Sequence, residues 1–309
     1  MKLKTIISVL RGKPQNRSRY IGLRFRHRAV PMWTKLHVEL HSDCNRDCTF
    51  CPRFDDRSGV RKDATGASVR TKMPTDKILS ILDQAHDLGY RGDVGLHRLS
   101  EATLDTRFLD IYRYVRQKGM FYRDATNGDV LKRRPDLCAA IDEVGTQLTI
   151  GLYDSTTEAE RETEKAYWRA RFKHAAVLFS EPDKNLAVRK NSQVYHLAEK
   201  DPAILDMPCY SQDDLLIRYD GNVNLCCQDD NCEFNLGNVF ERPLEEIWWS
   251  EKRVKIRSTL RQPGGRRHFA ACSTCYHGAP IKDVELNQNL IRTRAADGTG
   301  LEAGDSSFS

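Results

Sequence analysis

Between residues 35 and 180 short apolar runs alternate with amphipathic stretches at a spacing of about 25–30 residues, and this alternation constrains the fold more than any other feature. Lys35–Leu40, Asp93–Leu99, Phe121–Ala125, Gln147–Leu152 and Ala175–Phe179 read as strands. The helix that Pro74-Thr75-Asp76 opens, with Ile78, Ile81, Leu82 and Ala85 on one face, and the segments 106–118, 130–141 and 157–171 read as helices. Repeated strand–helix units bury a parallel sheet under helices, so an α/β fold is expected, wrapped into a barrel or left open. A partial barrel is preferred, because chemically able residues recur at the C-terminal ends of the strands.

The 309 residues allow two or three domains, and 39% hydrophobic content suffices for a core. Charged residues make up 30%, and no apolar run approaches the roughly 18 residues a membrane span needs. The run Ile6–Leu10 is also too short for a secretory signal core, so a cytoplasmic protein with no membrane partner is expected. The net charge of +6 is concentrated at the start: residues 1–35 hold ten of the 49 basic residues and no acid, leaving 39 basic against 43 acidic residues beyond. Residues 1–34 are read as a basic N-terminal arm lying on the main domain. After about residue 200 the pattern changes to a hairpin, Leu215–Tyr219 and Asn222–Cys226 around Asp220-Gly221, then a helix over 244–260. The expected divisions are therefore 1–34, 35–199, 200–285 and a disordered small-residue tail, 286–309.

Ten cysteines without a secretory signal point to metal or redox chemistry, not to disulfides. Cys44, Cys48 and Cys51 form C-x3-C-x2-C on the loop after the first strand. A structural zinc ion usually takes four ligands, whereas a 4Fe–4S cluster on three cysteines keeps one iron open. The motif resembles that of the radical S-adenosylmethionine (SAM) enzymes, C-x3-C-x-aromatic-C, with Phe50 as the aromatic residue. The resemblance implies a partial (β/α)6 TIM-like barrel and a SAM molecule chelated to the open iron and cleaved to a 5′-deoxyadenosyl radical. Glu101, in Leu99-Ser100-Glu101-Ala102, stands where the family has Gly-Glu-Pro. Asn127, in Thr126-Asn127-Gly128, stands at the family's Thr-Asn-Gly. With Phe50, these two are the expected SAM-binding residues.

Cys209-x11-Gly221-x4-Cys226 and Cys272-x2-Cys275 supply four more thiolates, which by spacing alone suit either a zinc ribbon or a fully ligated 4Fe–4S cluster. Behind a radical SAM motif the pattern is similar to the SPASM/twitch extension. The absence of cysteines after Cys275 favours the short twitch form, a small α+β unit with one auxiliary cluster. Two 4Fe–4S clusters are thus expected, on Cys44, Cys48 and Cys51 and on Cys209, Cys226, Cys272 and Cys275. Cys138 reads as core and Cys227 as packing. Cys232, in a polar loop, is the remaining candidate: a ligand in place of Cys226, a hydrogen donor, or a residue with no chemical role, the last being preferred.

Twitch enzymes of this kind imply a radical SAM dehydrogenase that oxidises a secondary alcohol of an aminocyclitol or sugar to a ketone, its auxiliary cluster accepting the last electron. An external one-electron reductant such as flavodoxin or ferredoxin is the implied partner. The alternatives are an epimerase with Cys232 as hydrogen donor, a ribosomal-peptide maturase and, remotely, a zinc-ribbon nucleic-acid module. Nucleic acid is not the expected partner, because the body beyond the arm is nearly neutral. His97, Arg123, Asp124, Tyr153 and Asp154 are polar residues at strand ends available to a substrate pocket, with no catalytic base assignable among them.

Overall fold

Parallel pairing dominates the architecture. The computed structural model describes residues 30–53, 65, 69–145, 147–181, 192, 199–278, 281–282 and 293–295. Its strands are β1 (Lys35–Val38), β2 (Arg46–Cys48), β3 (Asp93–Gly95), β4 (Phe121–Thr126), β5 (Gln147–Gly151), β6 (Ala176–Ser180), β7 (Glu199–Lys200), β8 (Leu215–Ile217), β9 (Val223–Asn224), β10 (Ile281–Lys282) and β11 (Thr293–Ala295). Seven of them form one sheet in the order β6-β5-β4-β3-β1-β8-β9. Every neighbouring pair in it is parallel except β8 with β9. The result is a mixed α/β fold in which each of the five expected strands is present.

The helices are α1 (Thr75–Asp87), α2 (Phe108–Gln117), α3 (Asp129–Arg133), α4 (Pro135–Val144), α5 (Glu158–Arg171), α6 (Leu244–Trp248), α7 (Glu251–Leu260) and α8 (Ala270–Ser273). Helix α1 buries Ile78, Ile81, Leu82 and Ala85, the face read from the periodicity. Helix α2 buries Phe108, Ile111, Tyr112 and Val115, and Phe108 and Tyr112 meet Tyr122 of β4 edge-on at 5.8 and 4.7 Å. Such aromatic pairs add about 0.5–1.5 kcal/mol each beyond the area they bury. Helix α5 starts in a capping box between Thr157 and Glu160 and buries only Trp168.

Two expected helices are broken. The segment 130–141 divides at Arg134, whose φ of −125° and ψ of 74° leave the helical region because Pro135 follows it. The helix over 244–260 divides at Trp249 and Ser250, where the Ser250 side chain caps α7 by accepting the Arg253 N–H.

The hairpin does not stand apart from the main sheet. Leu36, His37 and Val38 of β1 align with Leu215, Leu216 and Ile217 of β8, so the C-terminal region extends the sheet directly. The turn between β8 and β9 needs Gly221: its φ is +82°, and a Cβ there would come within 2.5 Å of Asn238 Oδ1. Of the basic arm, residues 1–29 lie outside the described residues, and residues 30–34 pack on α6. Trp248 and Trp249 donate their indole N–H groups to the carbonyls of Pro31 and Val30, and Trp33 lies edge-on to Trp248 at 5.4 Å. Of the expected tail 286–309 only residues 293–295 are among the described residues; they form β11, which pairs antiparallel with β2, Thr293 opposite Cys48 and Ala295 opposite Arg46. Most of residues 56–72 lie outside the described residues. Among the described residues no helix is long and apolar enough to cross a membrane.

Candidate functional site

The loop after β1 carries Cys44, Cys48 and Cys51, with Cys48 buried and the other two partly exposed. A tight turn closes the motif, the Cys51 N–H donating to the Cys48 carbonyl at 2.9 Å. Burial, followed by the nearby Glu101, pushes the Cys44 thiol up to about 12, and Cys51 adds to the effect. Cys48 is raised by burial and then by Cys51 and Cys44, so the three sulfurs lie within electrostatic reach of one another. A cationic iron centre reverses that tendency by stabilising the thiolates.

A polar network fixes this loop against the C-terminal ends of the sheet. The buried Glu101 carboxylate accepts from the Thr103 N–H (3.2 Å), the Thr103 hydroxyl (2.6 Å), the Thr126 hydroxyl (2.7 Å) and the Asn127 N–H (2.8 Å). The Glu101 N–H in turn donates to the Asp43 carbonyl at 3.0 Å, beside Cys44. Asn127 reaches the same loop by donating to Asn45 Oδ1 at 2.8 Å. Gly128, at φ +79°, lets the chain turn into α3; a Cβ there would lie 2.9 Å from Trp168 Cζ2. Phe50 is buried with its ring centroid 5.4 Å from that of Tyr153.

Sequence reasoning missed Arg46. Its guanidinium makes paired bonds to both Asp129 and Asp154, tying the cysteine loop to α3 and to the segment after β5. The signal was present: an Arg inside the C-x3-C spacer, and an Asp next after Thr-Asn-Gly. Among the strand-end candidates, Asp154 is therefore committed to Arg46, Tyr153 to Phe50, and Arg123 to Asp93 at 3.0 Å. His97 and Asp124 form an ion pair with each other.

The C-terminal thiols come together. Cys209, Cys226, Cys272 and Cys275 line one pocket with Gln228, Arg266 and His277. The Cys209 N–H donates to Leu260 O at the end of α7, and the Cys275 N–H donates to Cys272 O. Arg266 spans the last turn, donating to the carbonyls of Cys275 (2.9 Å) and His277 (3.0 Å). Burial raises the Cys226 thiol, with Cys227, Asp229 and Cys275 contributing. Among the described residues no three His, Cys, Asp or Glu groups converge closely enough to share one metal ion. Three thiols on one loop and four around one pocket are donor sets of the chemistry that iron–sulfur clusters take.

The leftover cysteines separate. Cys138 is buried in α4, its thiol on the Leu131 carbonyl at 3.3 Å, as expected of core. Cys227 is exposed and lies 4.0 Å from His277, which corrects its reading as packing: β9 ends at Asn224, so the strand alternation no longer applies. Cys232 takes a positive φ of 55° and is not among the pocket residues; burial raises its thiol to about 11.

The two thiol sets are bridged by the loop after β3. Arg98 reaches from it to the carbonyls of Asp229 (3.0 Å) and Cys226 (3.4 Å) and to the Asp230 carboxylate (3.2 Å). Three residues on, the Glu101 N–H donates to the carbonyl of Asp43, next to Cys44, at 3.0 Å.

Residues 209–276 match the family model of SPASM, an iron–sulfur cluster-binding domain. The chain is 23% identical over 263 residues to the S-adenosyl-L-methionine-dependent 2-deoxy-scyllo-inosamine dehydrogenase of Niallia circulans, covering 79% of this chain and 93% of that protein. It resembles the crystal structure of BtrN in complex with AdoMet and 2-DOIA, with a TM-score of 0.58, 19% identity and coverage of 80% and 94% of the two chains. A native anSMEcpe structure with bound AdoMet gives a TM-score of 0.54 at 12% identity, covering 81% and 89%. At these identities the likeness of the structures carries the fold.

Proposed function

We propose that this chain, a radical SAM enzyme with a SPASM-type domain at residues 209–276, oxidises a secondary alcohol of an aminocyclitol to a ketone. The observation that carries the reading is the placement of two separate thiol sets, three on the loop after β1 and four around one pocket, joined through the loop 96–101. The activity for which the Niallia circulans relative is named supports the substrate class.

In this reading Cys44, Cys48 and Cys51 hold a 4Fe–4S cluster and Cys209, Cys226, Cys272 and Cys275 a second one, in a partial barrel followed by a twitch-type unit. The chemistry the bound groups supply is reductive SAM cleavage to a hydrogen-abstracting radical at the first site and acceptance of one electron at the second. The protein's own residues do the positioning. Glu101 and Asn127 hold the SAM-facing loops together, Phe50 packs the floor of the cysteine loop, and Arg46 pins that loop to α3 and to the segment after β5. Arg98 fixes the spacing between the two sites through the Cys226 carbonyl. A flavodoxin or ferredoxin supplies the electron that SAM cleavage consumes.

The test is anaerobic reconstitution with iron and sulfide counting, followed by incubation with SAM, a reductant and 2-deoxy-scyllo-inosamine. The expected result is about eight irons per chain, falling to about four when Cys44, Cys48 and Cys51 become Ala, together with ketone formation by the wild type. A colourless zinc protein, or about four irons falling to none, would sink the two-cluster dehydrogenase.

A further inference from the structure

Oxidising an alcohol removes a hydroxyl proton as well as a hydrogen atom and an electron, and the inference below rests on that reading. The proton acceptor has to face the space between the two thiol sets. The loop after β3 links the two sets: Arg98 donates to the Cys226 carbonyl at one side, and the Glu101 N–H donates to the carbonyl of Asp43, next to Cys44, at the other. His97 is on this loop, next to Arg98, and its side chain is 25% exposed.

The ring is held from behind. Its Nδ1 pairs with Asp124, whose carboxylate is fully buried. Asp124 itself is fixed by the N–H groups of Leu96 and of His97, the latter at 3.0 Å. A carboxylate placed beside Nδ1 favours the tautomer that carries its proton there, which leaves Nε2 as the basic nitrogen. It also stabilises the imidazolium that forms when Nε2 takes a proton, as a buried carboxylate does for other catalytic histidines.

The groups around His97 agree with such a role. Asp124 of β4 and Glu101 of its own loop favour its charged form, while burial and Lys35 of β1 oppose it, and the net direction is upward. Asp124 stays below the ordinary carboxylate range: burial pushes it up, but His97 and Lys35 outweigh that. His37 of β1, the other imidazole in this cluster, is driven down to about 3 by its own burial and then by Lys35, so it is neutral and does not compete for the Asp124 charge. Gly95 gives the cluster room, since a Cβ there would come within 2.9 Å of His37 Nδ1 and 3.0 Å of Asp124 Oδ1.

We propose that His97, oriented by Asp124, is the catalytic base that takes the hydroxyl proton of the substrate. The balance is complete: the carbinol hydrogen leaves as an atom to the SAM-derived radical, the hydroxyl proton goes to His97 Nε2, one electron goes to the cluster on the C-terminal thiols, and the C–O bond becomes a carbonyl.

Wild type, His97→Ala, His97→Gln and Asp124→Asn are compared for ketone formation from 2-deoxy-scyllo-inosamine and for 5′-deoxyadenosine formation, with iron content as the folding check. Loss of a general base costs about 10²–10⁴-fold. Ketone formation in His97→Gln is expected to fall at least 100-fold, while deuterium transfer from the labelled carbinol position into 5′-deoxyadenosine persists. Added imidazoles are expected to restore His97→Ala in the order of their basicity, which no structural role would produce. In Asp124→Asn the acid limb of the pH profile is expected to move to lower pH, because the partner that raises His97 is gone.

Ketone formation within threefold of wild type in His97→Gln overturns the assignment, as does a His97→Ala enzyme with full iron that no imidazole rescues. A wild type that makes no ketone overturns the dehydrogenase reading and this assignment together, so the two failures are distinguishable.

Discussion

Replacing Glu101 by Gln tests whether a buried carboxylate holds the two halves of the candidate SAM site together. One carboxylate oxygen accepts three donors, the Thr103 N–H, the Thr103 hydroxyl and the Thr126 hydroxyl. The other accepts the Asn127 N–H at 2.8 Å. Gln keeps an acceptor toward the three and turns an NH₂ toward Asn127, so two donors face each other in a buried place. A hydrogen bond to a charged acceptor contributes about 1.5–3 kcal/mol, and an orphaned buried N–H costs about 1–3 kcal/mol. Because these figures overlap, the net loss is about 3 kcal/mol. At about 2–4 °C per kcal/mol for a chain of this size class, the thermal midpoint falls by about 6–12 °C. The assay is anaerobic scanning calorimetry of the reconstituted enzyme, with SAM affinity measured in parallel. Asn127 also grips Asn45 in the cysteine loop, so SAM binding is expected to weaken by about tenfold, or about 1.4 kcal/mol. A midpoint shift under about 2 °C with unchanged SAM affinity would refute the view that Glu101 anchors these loops.

Two further outcomes are expected. The Asp142 carboxylate accepts the N–H groups of Lys173, His174 and Ala175; burial pushes its pKa up, those bonds pull it down, and the net direction is downward. A depressed folded pKa stabilises above the unfolded value near 3.9 and is lost as pH falls through the folded one, so Asp142→Asn costs about 1–3 kcal/mol at pH 7 and its thermal midpoint converges on wild type below about pH 4. Cys232→Ser is expected to keep ketone formation within about threefold, because Cys232 is not among the residues lining the auxiliary pocket and His97 carries the proton; a loss of 50-fold would restore a hydrogen-donor role and the epimerase reading.

The parts of this molecule legible in the sequence are those set by local periodicity or by covalent spacing. The apolar faces of α1 and α2 follow from the 3.6-residue repeat, and the two thiol sets from intervals of two, three, four and eleven residues. What escaped depends on which strand lies beside which. The parallel register of β1 with β8 makes the C-terminal hairpin part of the main sheet, and no local pattern in Leu215–Ile217 announces that neighbour. The same holds for β11, whose pairing with β2 ties three residues of an unpatterned tail to the backbone beside Cys48.

Both residues of the His97–Asp124 pair were visible as polar positions at strand ends, but nothing local joined them. Parallel pairing of β3 with β4, Asp93 opposite Phe121 and Val94 opposite Tyr122, brings the backbone after Gly95 level with Asp124. From there the carboxylate reaches the N–H groups of Leu96 and His97 and the imidazole together. A one-residue slip would carry Asp124 to the opposite face of the sheet and separate the pair. The register that pairs β3 with β4 is therefore the same register that orients the proposed base, so core substitutions at Tyr122 or Val94 act on catalysis through the position of Asp124 and not only through stability.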